Sequence, residues 1–173
     1  MPLYALGDRE PQVDPTAFVH PDAVLIGDVR IGPESTVWPG AVLRGDGAPI
    51  IVGARTSIQD GTVIHCTPIH PTIVGDDCVV GHLVHLEGCT IEDRSLVGSG
   101  SIVLHEAIVR TGSLVGAGAV VSGRTEVPSG AKALGVPARI KPDSVNPELE
   151  IDLPAQSYLE RGRQYRKDLR RLD

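Results

Sequence analysis

The chain has 173 residues, of which 41% are hydrophobic but only 3% aromatic, with 20 Gly, 14 Pro and a net charge of −6. That length fits one domain with a terminal appendage. The negative charge argues against general nucleic-acid binding, and no apolar run is long enough to span a bilayer. Three cysteines at scattered spacing suggest no disulfide framework. The opening MPLYALGDRE lacks the charged and apolar regions of a secretory signal, so the expected compartment is the cytoplasm.

Residues 1–12 read as a lead-in. From Val13 onward aliphatic residues return on a six-residue beat, through Ile31, Val37, Leu43, Val52, Ile58, Ile64, Val74, Val80 and Leu86, and on from Ile91 to Val127. A small residue follows most beats by four positions, as at Ser35, Ala41, Thr56, Thr62, Cys78 and Thr90. A period of six fits neither a helix nor a plain amphipathic strand. It fits an all-β solenoid with three hexads, about eighteen residues, per coil, in which the aliphatic and the small residue both point inward. So narrow a core has no room for aromatic rings, which accounts for their scarcity.

The beat slips twice, by three residues within LRGDGAPIIVG and by four within CTPIHPTI. Both insertions are too short for a lid or a substrate domain. Trp38 follows a beat and so faces outward, either as a subunit contact or as the seat of the C-terminal helix. The repeat decays after VPSGAKALGVPARIKP, which sets domain limits of 1–140 for the solenoid and 141–173 for a linker and helix. SYLERGRQYRKDLRRL reads as that α-helix, with Ser157 and Glu160 as a capping box. Tyr158, Leu159, Tyr165, Leu169 and Leu172 form its apolar face. Arg161, Arg163, Arg166, Lys167, Arg170 and Arg171 form a face that meets solvent or acid on a neighbouring subunit.

Counting beats places residues above one another. Leu43, Ile64 and Leu86 are one coil apart, so Arg44, His65 and Glu87 stack, spaced like adjacent strands at about 4.8 Å. Asp60 stacks with His82, and Gln59 with Gly81. His65 and Glu87 can share one metal ion. His82 lies on another side of the prism and can join them only from a second chain, which three prisms around a three-fold axis would achieve. His85 stacks over Val63 and is a reserve ligand. His70, in the second insertion, reads as a mobile surface residue and His20 as a corner residue. Cys66 and Cys89 flank the histidines as candidate soft ligands, whereas Cys78 reads as core.

LRGD at 43–46, IQDG at 58–61, IH at 64–65, VGH at 80–82 and LEGC at 86–89 resemble the γ-class carbonic anhydrase family of hexapeptide-repeat proteins. The resemblance runs from about residue 11 to 140. It implies a left-handed parallel β-helix, a homotrimer, and zinc, iron or cobalt held between subunits. It also implies reversible hydration of CO2 to bicarbonate by a metal-bound hydroxide. His65 and His82 match two of the family's three histidine ligands. Arg44 and Asp46 match a charged pair that bridges subunits, and Gln59 and Asp60 match groups that orient the attacking water. Glu87 stands where the family has its third histidine. A His2Glu set still suits zinc, but its negative ligand offsets part of the metal's charge and makes bound water a weaker acid. The alternatives are a hexapeptide-repeat acyltransferase or CoA-ester hydrolase, and a structural subunit whose site has lapsed, because fold alone does not decide function.

Overall fold

Each beat residue from Ile31 to Val127 is at most 3% exposed, so the six-residue period marks the inside of the molecule. The computed structural model describes residues 2–173 and is a left-handed parallel β-solenoid of about 7 turns followed by a single C-terminal helix. Short strands stack in register on three sides. One side runs through Phe18–Val19, Thr36–Val37, Ser57–Ile58, Val79–Val80, Leu96–Val97 and Leu114–Val115. The second holds Leu43 over Ile64 and Leu86, as the beat count predicts. The third holds Val52, Val74, Ile91 and Val109. The core is one continuous aliphatic cluster along the axis.

Between Leu86 and Ile91 the hexad is one residue short, and this corrects the count. The inward small position falls two residues before each beat, so Cys89 is buried there at 1% exposure while Thr90 is half-buried outside the core. The lead-in also does more than lead in. Leu3–Tyr4 pairs with Leu25–Ile26 and extends the sheet at the N-terminal edge. Arg9 then donates to the carbonyls of Asp46 and Gly47 at 2.6 and 2.8 Å, tying this arm to the first insertion.

Glycines after the beat serve close approach between coils. A Cβ on Gly53 or Gly75 would lie 2.3 or 2.2 Å from the Asp76 or Asp93 carboxylate of the next coil. Those carboxylates accept from the backbone N–H of Ala54 and Asp76, both at 2.8 Å, and so satisfy corner amides that the strands leave free.

The helix spans Leu153–Asp168 after a π-helical turn at Glu148–Asp152, so Ser157 lies inside it and caps nothing. The cap is upstream: Asn146 accepts from the Leu149 N–H at 3.4 Å, and Glu150 accepts from the Asn146 N–H at 2.8 Å. The helix lies on the side that carries Trp38, which is 5% exposed and packs edge-on against Tyr158 and Tyr165 with centroids 5.9 and 5.0 Å away. Trp38 is therefore the seat of the helix. Two helix arginines are held by the chain's own solenoid: Arg163 pairs with Glu34 at 2.7 Å, and Arg166 donates to the carbonyls of Pro15 and Thr16.

Candidate metal centre

The second side of the prism brings Arg44, His65 and Glu87 into one column across three coils. His65 ends its strand, and its carbonyl is held by the buried Thr72 hydroxyl at 2.5 Å; that same hydroxyl accepts from the Gly88 N–H at 2.8 Å. Thr72 thus spans the second insertion and keeps His65 and Glu87 in register despite four extra residues. His65 Nε2 and His85 Nε2 each lie 3.6 Å from Glu87 Oε2, and the two rings meet edge-on at 5.1 Å. These three donor atoms lie within 4.8 Å of one another.

The geometry at His65 and His82 sets their tautomers. His65 Nδ1 is 3.1 Å from the Cys66 carbonyl, an acceptor, so Nδ1 carries the proton and Nε2 presents its lone pair. His82 Nδ1 is 2.9 Å from Asp60 Oδ2, which leaves His82 Nε2 as the free lone pair on an exposed corner. His82 is not part of the His65, His85 and Glu87 group. Asp60, expected to orient water, also accepts from His82. Gln59, immediately before Asp60, is 3% exposed. Arg44 pairs with Asp46 within the chain. Burial pushes the Asp46 carboxyl up, but the Arg44 hydrogen bond and charge outweigh it and hold it below the usual range.

Two sequence readings change. Cys89 is buried in the core, and burial pushes its thiol up to about 12, far from the thiolate a metal needs. Cys66 accepts from the Gly47 N–H at 3.3 Å and faces the first insertion. His70 is half-buried in a closed turn, with its N–H on the Thr67 hydroxyl at 2.9 Å and its ring stacked on His105 at 6.4 Å. His105 was absent from the sequence reading. Its Nδ1 lies 3.5 Å from Glu87 Oε1. It sits at a corner, outside the beat, so periodicity gave no signal; its place one coil beyond Gly88 was the only one available.

A parallel β-helix with imidazole and carboxylate donors gathered on one side defines a hexapeptide-repeat protein with a metal-competent site. No family model matches the chain. It is 35% identical over 165 residues to a carbonic anhydrase of Geobacillus kaustophilus, covering 95% of this chain and 91% of that one. It is 44% identical over 138 residues to gamma carbonic anhydrase 1, mitochondrial, of Arabidopsis thaliana, covering 76% of this chain and 50% of that protein. The chain thus spans about half the length of that plant relative. A Bacillus cereus crystal structure provisionally labelled an acetyltransferase superposes with a TM-score of 0.91 at 34% identity, over 94% of this chain and 95% of that one. The chain belongs to the γ-carbonic anhydrase family.

Proposed function

We propose that this chain is a metal-dependent enzyme that interconverts CO2 and bicarbonate at a site completed between copies of itself. The observation that carries the reading is the convergence of His65 Nε2, His85 Nε2 and Glu87 Oε2 within 4.8 Å of one another. The donor set fits a divalent cation: two neutral imidazoles and one carboxylate suit zinc, and imidazole also suits iron and cobalt. Once bound, the ion supplies the Lewis acidity that makes water nucleophilic near neutral pH.

His65 and Glu87 hold the ion from one copy, with His85 beside them. The partner subunit's His82 joins from a neighbouring prism, its lone pair directed outward by Asp60. Leu83, next to His82, is 70% exposed at φ +57, and Val63, which pairs with His85 on the adjacent coil, is 40% exposed. A bulky apolar residue held at positive φ in the open is costly unless covered, which supports a three-fold assembly closing over this corner. Gln59 faces the same side as a buried amide, suited to orienting a reactant. Arg44 and Asp46 brace the first insertion above His65.

Elemental analysis of the purified protein with its oligomer mass tests this reading. The expected result is a homotrimer with one divalent ion per chain, in which His65→Ala and Glu87→Ala each lower occupancy sharply and leave the trimer intact. A stable monomer, or a trimer without metal that keeps its activity, overturns it. Glu87→His should increase hydration near neutral pH by removing a negative ligand. A second reading, acyl transfer, draws on the label of the Bacillus cereus structure; acetyl-CoA consumption with an amine acceptor, unaffected by chelator, would favour it.

A further inference from the structure

Glu87 has two oxygens with different neighbours. Oε2 faces His65 Nε2 and His85 Nε2, both at 3.6 Å, while Oε1 faces His105 Nδ1 at 3.5 Å. We propose that His105 is a positioning residue that holds the Glu87 carboxylate from behind, so that Oε2 alone turns toward the metal. The inference rests on the metal reading above and adds to it a residue outside the ligand set.

A carboxylate on a two-carbon stem is free to rotate, and each rotamer lost on binding costs affinity. Glu87 is a flexible ligand, so it needs a restraint that a rigid imidazole ring would not. In this role His105 presents the N–H at Nδ1 to Oε1, across a contact of 3.5 Å. His105 is itself held in place. Its ring lies nearly parallel to that of His70, 21° apart, and the His70 turn is closed by Thr67. Both residues crowd the backbone at Gly88, where an added Cβ would meet His70 Cβ at 3.0 Å and His105 Cβ at 3.3 Å. Gly88, at φ +55, is the residue that lets the pair close over Glu87. Partners of ligating groups typically govern metal affinity by about 10–100-fold.

The test separates the donor from the ring. His105→Phe keeps a ring to stack on His70 and removes the N–H. His105→Asn removes the stack but keeps an amide N–H near the place of Nδ1. The readouts are the zinc dissociation constant, by competition with a chromophoric chelator, and the visible absorption of the cobalt-loaded protein. The expected result is a loss of about 10–100-fold with an altered cobalt spectrum in His105→Phe, and near wild-type behaviour in His105→Asn. On a Glu87→Ala background neither substitution should have any further effect. Equal affinity in all three proteins, or the loss appearing in His105→Asn while His105→Phe binds normally, overturns the role of His105 and leaves the metal site standing. A wild-type trimer that binds no zinc overturns the metal reading and this inference with it. Circular dichroism reports whether each variant folds; His105 is 46% exposed, so its replacement does not open the core.

Discussion

At the scale of single residues, the site depends on which atom of each side chain is already spoken for. His65 and His82 each give Nδ1 to a local acceptor and keep Nε2 for a ligand. Asp60→Ala should therefore weaken metal binding by about 10–100-fold through misaligned His82, while the circular dichroism and trimer mass stay unchanged; an unaffected dissociation constant would count against His82 as a ligand. The stacking of Arg44, His65 and Glu87, and of Asp60 with His82, was legible from the beat, because adjacent coils must keep their inward residues in register to share one core. What hexad arithmetic could not deliver was the meeting of corners on either side of an insertion. His105 and His70 lie where the chain turns, and their meeting depends on insertion length and on Gly88. The direction of each Glu87 oxygen is likewise a matter of side-chain packing that no period encodes.

At the scale of elements, the helix was legible as a helix but not in its start. Ser157 and Glu160 match the capping pattern and the stretch before them reads as linker, yet the helix runs back through that stretch and past Pro154. Proline lacks an N–H and collides with the carbonyl four residues back. Here the π-helical turn Glu148–Asp152 precedes the α-helix, and Pro154 falls in its first turn, where a missing donor costs nothing. Ile151 and Ala155 are buried by this earlier start. The helix meets the solenoid tightly at Gly162, where a Cβ would lie 2.3 Å from Thr36 Cγ2. Gly→Ala inside a helix normally gains about 1 kcal/mol, but overpacking against a buried β-branched side chain costs about 1–3 kcal/mol. Gly162→Ala should therefore destabilise the helix seat. The emission of Trp38, the single tryptophan, should shift to the red as the helix lifts; a raised melting temperature with unchanged emission would contradict the tight contact.

At the scale of the whole molecule, coils are fastened to one another by ion pairs along the corners. Arg110 donates to Glu92 at 2.7 Å and to both Glu126 oxygens at 3.0 and 3.1 Å. The Arg110 hydrogen bond is the main cause holding both carboxyls below their ordinary value of 4.5. A carboxyl depressed in the folded state adds stability above its unfolded value and loses it as pH falls through the folded one. Wild type and Arg110→Ala should thus differ modestly in thermal midpoint at pH 7, and the gap should close as pH drops below about 4.5. A gap that is constant or widens in acid would exclude this origin. The assembly proposed for the chain rests on different ground, the exposed corner at Leu83, and is tested by mass alone.

The two insertions and the one-residue deletion carry a consequence for how such a protein can change. Every departure from the hexad, at 45–48, 66–71 and 88–89, falls at a turn of the prism, and the strands on either side resume their register without loss. Chain length is therefore a free variable at the edges and a fixed one on the flats. The donor residues His65, His85 and Glu87 stand on the flats, whereas Asp46, His70 and His105 stand at the edges. Mutation by insertion or deletion can rebuild the rim of the cleft, its polarity and its depth, while the donors stay where stacking has put them. A scaffold of this kind separates the evolution of what a site admits from the evolution of what it holds.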